Sequence, residues 1–199
     1  ITAYGSTGPL SGLAHSDALV QATCGLADTT GEPDGPPVLC GFAAAEGLGA
    51  LHAAAAVLAA LRVRAIDGLG QAIEISLYES VFSGFASIVP FPLVGQPITR
   101  AGNRHVSASP WNVYQASDGP LVICTATDEQ WLRLCAVIGR DDFAADATLA
   151  KAPGRIAAAV RIDRAIGDWA GRQAGEEGAA RLNAEGIPAG PIVPFGRLG

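Results

Sequence analysis

The sequence predicts an α/β protein in two parts. A helix-rich first part is expected over residues 1–95, a smaller α+β part over 111–199, and a linker over 96–110. Three observations carry this expectation. No Asp, Glu, Lys or Arg interrupts the Ala- and Gly-rich run from Gly47 to Leu61, and Gln71 to Ser76 then alternates polar with apolar residues. A long helix followed by a strand is the α/β order. The stretch GQPITRAGNRHVSASP, residues 95–110, is turn-rich and divides the chain. Beyond it, Trp111–Gln115 and Leu121–Ala126 flank Ser117-Asp118-Gly119, which is the signature of a hairpin, and helical spacing follows.

Taken in order, Ile1–Tyr4 reads as a strand, and Asp17–Leu26 as a helix that Ser16 or Asp17 caps. Thr30–Pro37 is a turn cluster. The long helix is expected from about Glu46 to Ala65, closed by Asp67-Gly68-Leu69-Gly70, with the strand over 71–76 behind it. Leu77–Val89 reads as a second helix that Pro90 and Pro92 end. In the second part Asp128 is placed to cap a helix through Val137. Helices over 156–173 and 175–185 come next, then a Pro-punctuated edge strand over 186–193.

Composition narrows the function classes. With 199 residues, 49% hydrophobic and only 16% charged, the chain supports a packed core rather than disorder. A net charge of −6 with dispersed basic residues argues against nucleic acid as a partner. The Leu48–Leu61 segment is Ala-rich and interrupted by His52, so it reads as a buried helix and no membrane partner is expected. Cys24, Cys40, Cys124 and Cys135 match no metal or redox spacing, and free thiols in a reducing cytoplasm are expected, with no metal site. No leader-like segment is read, and the opening on Ile1 within strand-like sequence reads as a portion of something longer.

Few residues stand out chemically. Glu46 is the one acidic or basic residue between Gly41 and His52, amid Ala45, Gly47, Gly49 and Ala50. Burial disfavours such a charge, whereas a helix N-terminus favours it, and small neighbours admit close approach of a ligand. An ordinary first-turn carboxylate and a catalytic one both fit. His52 reads as a packing residue. His15-Ser16-Asp17 sets an imidazole and a carboxylate before a helix, where capping and chemistry are both open. Asn103, Arg104 and His105 form a polar loop suited to an anion or to solvent. Trp111, Trp131 and Trp169 read as core or subunit-contact residues. No Ser-His-Asp, Cys-His, phosphate-loop or dinucleotide pattern is present.

The order GSTGPLSG, HSDALVQATCGL, TTGEPDGPP, EGLGALHAAAAVLAALRVRAIDGLGQAIEISLYES, GNRHVSASPWNVYQASDGPLVI, DEQWLRL and GIPAGPI resembles the family III CoA-transferases. That group includes the formyl-CoA and carnitine CoA-transferases and the α-methylacyl-CoA racemases. The resemblance implies that Glu46 stands where the family has its nucleophilic aspartate. That residue attacks an acyl-CoA thioester to form a mixed anhydride and then an enzyme-bound CoA thioester. Glu46 is longer than the family's residue by one methylene. The resemblance further implies that residues 1–95 are part of a Rossmann-like large domain followed by a small α+β domain, with coenzyme A as the carrier, Gly47, Gly49, Asn103, Arg104 and His105 near the CoA site, and an interlocked homodimer. Racemases of the group place a His immediately before the residue matching Asp17, whereas this chain has Ser16 there and His15 one position early. The leading expectation is therefore transfer of CoA between an acyl-CoA and a carboxylic acid. Racemisation by α-proton abstraction is the alternative, and a non-catalytic subunit or degenerate half is a third reading.

Overall fold

The computed structural model describes residues 1–86, 88–95 and 97–197. Ser87, in the helix expected over 77–89, lies outside the described residues. So do Gln96, at the head of the expected linker, and Leu198 and Gly199 at the end of the second part. The backbone divides into two compact units, Ile1–Gly102 and Asn103–Gly199.

Among the described residues the first unit is built on five helices: α1 (Asp17–Thr23), α2 (Leu26–Thr29), α3 (Ala44–Asp67), α4 (Leu77–Ser83) and α5 (Pro90–Leu93). Ser16 caps α1, its Oγ accepting the Leu19 N–H, and Ser76 caps α4 in the same way through the Glu79 N–H. Gly68 ends α3 in the left-handed region at φ +76°, its N–H bonding the Arg64 carbonyl. The core of this unit is small: Ala3, Val20, Cys24, Ala45, Leu77 and Val81.

Three expectations for this unit are corrected. The strands over 1–4 and 71–76 reduce to one parallel bridge between Thr2 and Ser76. Thr2 donates to the Ile75 carbonyl and accepts from the Leu77 N–H, each at 2.9 Å. Alternation alone does not make a strand, because the ladder needs a partner along its length. The helix over 77–89 stops at Ser83, and Pro90 opens α5 at its first turn instead of closing α4. After Gly84 the Phe85 N–H bonds the Phe82 carbonyl and the Ile88 and Val89 N–H groups bond the Phe85 carbonyl, and proline's preset φ suits a helix start.

The third correction concerns α3. The helix forms over Ala44–Asp67, two residues longer at each end than the expected 46–65, but it is not buried: only Ala44, Ala45 and Gly49 are. Leu51, Leu58 and Ile66 are 70%, 67% and 77% exposed. By length and composition alone it would pass for a membrane span, against the reading of Leu48–Leu61 as a buried helix. Within the unit α3 packs on α1 and α4, and a helix that is apolar all round has more apolar surface than two short neighbours cover.

Where α3 does pack, the fit is tight. A Cβ added at Gly49 would run into Leu77 Cδ2. Gly49→Ala is expected to cost about 1–3 kcal/mol in a denaturant melt, because Leu77 must leave its rotamer. Adding Leu77→Ala should make that cost non-additive, through relief of the clash.

The second unit carries a three-stranded antiparallel sheet of β1 (Trp111–Ala116), β2 (Gly119–Cys124) and β3 (Ala189–Pro191), in that spatial order. The hairpin pairs Trp111 with Cys124 and Ala116 with Gly119. Its helices are α6 (Asp128–Ile138), α7 (Asp141–Ala145), α8 (Ala152–Ala157), α9 (Ala159–Ala170) and α10 (Gly175–Ala184). The helix expected over 156–173 is thus two, parted at Ala158, whose ψ of 12° leaves the helical range. Thr127, not Asp128, caps α6: its hydroxyl accepts the Gln130 N–H, and the Gln130 side chain returns to the Thr127 N–H. Leu121 and Ile123 from the sheet meet Trp131, Leu134, Ile162, Ile166, Trp169 and Leu182 in one core. Two of the three tryptophans are therefore core residues, and Trp111 is half-buried beside His105.

With the cap role taken by Thr127, Asp128 bonds Lys151 Nζ at 2.7 Å and Arg155 Nη2 at 2.8 Å. Both bonds, Lys151 first, hold its carboxyl below the usual value of 3.8. A depressed folded-state value stabilises the fold above the unfolded-state value and loses that contribution as pH falls through the folded one. Asp146, held down by Thr148 and Arg161, acts in the same direction. Unfolding midpoints of the chain should therefore fall below about pH 4, and less steeply in Asp128→Asn, as urea melts at several pH values would read.

Candidate active site

The expected nucleophile lies in the first turn of α3. The N-cap residue of that helix is Ala43, which has no side-chain oxygen to satisfy the first amides. The cap comes from another helix: Asp17 Oδ2 accepts the Glu46 N–H at 2.9 Å. Ser16 already caps α1, which leaves Asp17 free for this second duty. Asp17 Oδ1 accepts from Gln21 Nε2 at 2.6 Å, and Gln21 is bonded in turn to Cys40 and Phe42 on the approach to α3. One end of α1 thus holds the turn that carries Glu46.

Glu46 itself is exposed, and among the described residues its carboxylate has no hydrogen-bond or ion-pair partner. A carboxylate tethered through its backbone and free at its oxygens is open to attack an electrophile. A Cβ at Gly47 would meet nothing within 4 Å, so the space beside Glu46 is open. Gly49 serves the packing of α3 on Leu77.

His15 is exposed and lines a recess of about 300 Å³ with Thr2, Tyr4, Ser11 and Leu77. Among the described residues no bond joins it to Glu46. The other imidazole of this unit, His52, is not the packing residue expected but is exposed on α3. Its Nδ1 lies 2.9 Å from the Leu48 carbonyl, which assigns the proton there and leaves Nε2 to the Ser83 hydroxyl at 3.4 Å.

Asn103, Arg104 and His105 belong to the second unit, and Glu46 to the first. Arg104 Nε bonds Asp163 Oδ2 at 2.8 Å, where Asn112 Nδ2 also donates at 3.1 Å, and Tyr114 OH donates to Oδ1 at 2.7 Å. Burial, with Asp163 adding to it, pushes the Tyr114 phenol far up, so it stays a donor. Arg104 therefore anchors its own loop to α9, with its side chain still 39% exposed. The His105 ring lies 4.9 Å from that of Trp111, and its Nδ1 accepts the Ser107 N–H. Asn103 is exposed.

Sequence reading missed Gln21 and Arg100. Gln21 is 3% exposed, and Arg100 ties the 28–35 turn together through Asp28, Glu32 and Gly35. The i,i+4 spacing of Asp17 and Gln21 was a usable signal for the first. Nothing local marks the second, whose partners lie 65 or more residues away. Among the described residues no group of three or more His, Cys, Asp or Glu side chains is placed to hold a metal ion.

Comparison with known sequences matches residues 1–197 to CoA-transferase family III. The chain belongs to that family. This CoA-transferase family III chain is 32% identical over 193 residues to the succinate–glutarate CoA-transferase of Agrobacterium fabrum, covering 96% of itself and 48% of that relative. It is 30% identical over 192 residues to the acetyl-CoA:oxalate CoA-transferase of Acetobacter aceti, covering 96% and 49%. Among solved structures, a CaiB/BaiF family protein from Brucella suis superposes with a TM-score of 0.79 at 30% identity, over 98% of this chain and 52% of that one. A Mycobacterium tuberculosis protein shares the fold at a TM-score of 0.84 and 23% identity, over 99% of this chain and 53% of that one. The family III chain thus spans about half the length of the curated relatives it matches.

Proposed function

We propose that this chain supplies the nucleophile of a CoA-transferase that moves CoA between an acyl-CoA and a carboxylic acid. The observation that carries the reading is Glu46: an exposed carboxylate, unpaired among the described residues, on a turn that Asp17 holds by its backbone. The family and the names of the relatives support it. The Glu46 carboxylate attacks the thioester carbonyl, and the C–S bond breaks to leave a mixed anhydride and CoA thiolate. The thiolate attacks the Glu46 carbonyl, giving a glutamyl-CoA thioester and releasing the donor acid. An acceptor carboxylate attacks that thioester in turn, and returning thiolate takes the new acyl group and restores Glu46. No proton needs to move in any of these steps, which suits a carboxylate with no base bonded to it among the described residues. The same fact weighs against racemisation, which needs a proton donor and acceptor across one carbon. Ser16, spent on its cap, and His15, unbonded to Glu46, offer no such pair.

Arg104 keeps part of its side chain exposed, and the reading gives it and Asn103 and His105 to the phosphates of CoA. The exposed apolar length of α3 supports close packing against further polypeptide, and a homodimer of the interlocked kind is the partner proposed. A cytoplasmic setting suits Cys24, Cys40, Cys124 and Cys135, all free thiols. The test is direct: incubation with an acyl-CoA, then hydroxylamine or borohydride, should leave a mass change on the peptide bearing Glu46. Modification elsewhere, or none, would remove Glu46 from the reaction.

A further inference from the structure

Gln21 is a buried polar side chain with three partners, and all three lie on the route to Glu46. Its Nε2 donates to Asp17 Oδ1 at 2.6 Å and to the Phe42 carbonyl at 3.4 Å, and its Oε1 accepts the Cys40 N–H at 2.9 Å. The amide orientation follows from the partners, since a carboxylate and a carbonyl only accept and a backbone N–H only donates. Both amide protons are used. At 3% exposure water cannot replace these bonds, so losing any of them leaves a buried group unpaired.

Two constraints meet in this one side chain. It fixes the backbone at Cys40 and Phe42, which leads into α3, and it fixes the Asp17 carboxylate, whose other oxygen caps Glu46. Asp17 has two carboxylate oxygens and one orientation that serves both bonds. If Gln21 lets go of Oδ1, that carboxylate is free to rotate about its terminal torsion, and the cap on Glu46 loosens.

We propose that Gln21 is a positioning residue for Glu46, acting through Asp17 and the 40–42 backbone. The proposal rests on the reading of Glu46 as the nucleophile, and part of its test does not. Gln21→Met keeps the length and removes all three bonds. Gln21→Glu keeps the acceptor for Cys40, removes both donors, and sets a carboxylate against Asp17. Amide hydrogen exchange on the chain should separate the two. Gln21→Met speeds exchange at both Cys40 and Glu46, and Gln21→Glu at Glu46 alone, while the middle of α3 is unchanged. A side chain that only fills space would not give that graded pattern.

The second reading is the rate of Glu46 acylation by an acyl-CoA. Both variants should lower kcat about tenfold or more, the scale of a misplacement under 1 Å, with KM changed less than about twofold. Equal protection of Glu46 in wild type and Gln21→Glu overturns the proposal, as does lost protection with an unchanged acylation rate. If wild-type Glu46 is never acylated, the transferase reading falls and the exchange pattern alone decides for or against Gln21. Should Gln21→Met fail to fold, Gln21→Glu carries both readings.

Discussion

Glu46→Gln should abolish acyl transfer, lowering the rate by on the order of a thousandfold or more, while leaving stability within about 0.5 kcal/mol of wild type. The two halves of that expectation have separate causes. An amide is not a nucleophile toward a thioester, so neither the anhydride nor the enzyme-bound thioester forms. The Glu46 side chain has no partner among the described residues, and the backbone N–H that matters to α3 is capped by Asp17 whatever side chain follows. Steady-state rates beside a thermal melt check both. Glu46→Asp is the sharper variant, because it restores the carboxylate that the family resemblance implies. It draws the nucleophile back by about 1.5 Å, and a site shaped for glutamate should slow by about a hundredfold. A faster Glu46→Asp enzyme would mean that the surrounding site is built for the shorter side chain.

Arg155→Met should cost about 3–5 kcal/mol, a large part of the stability of a small domain. Arg155 is 2% exposed, with its guanidinium 5.6 Å from the Trp131 ring. Nε donates to the Ser109 carbonyl at 2.7 Å, Nη1 to the Leu149 carbonyl at 3.1 Å, and Nη2 to Asp128 at 2.8 Å. One planar group thus ties the loop before β1, the turn before α8 and the start of α6. Methionine fills much of the space and leaves two buried carbonyls without donors. Lysine keeps the charge but cannot present the fork, so Arg155→Lys should recover less than half of the loss. Urea melts of both variants, and of Arg155→Met with Asp128→Asn, measure this. The double variant should cost less than the sum, because each single change already breaks the same Arg155–Asp128 bond.

The elements that sequence reading placed well are those whose causes lie within a few residues. The hairpin from Trp111 to Cys124 follows from alternation and a Ser-Asp-Gly turn. The end of α3 follows from one glycine at φ +76°. Errors of a residue or two, such as Asp128 for Thr127 as the cap of α6, come from adjacent residues competing for one role. The larger departures are of another kind. Residues 71–76 have the right pattern for a strand and one bridge to show for it, because a strand is made by its neighbour. Arg104, in a loop that the sequence left open to an anion or to solvent, is held by Asp163, 59 residues on.

What the sequence determined by itself is the family, through motifs in order along nearly the whole chain, and Glu46 as the residue to examine. Those are matters of residue identity and spacing, which survive without coordinates. Only the tertiary structure decided that Asp17 caps Glu46 across 29 residues, that Gln21 holds Asp17 and the 40–42 backbone together, and that Gly49 serves Leu77. It also decided that α3 lies exposed along most of its length. A hydrogen bond or a packing contact between distant residues depends on where the intervening chain returns, and no local propensity encodes that return.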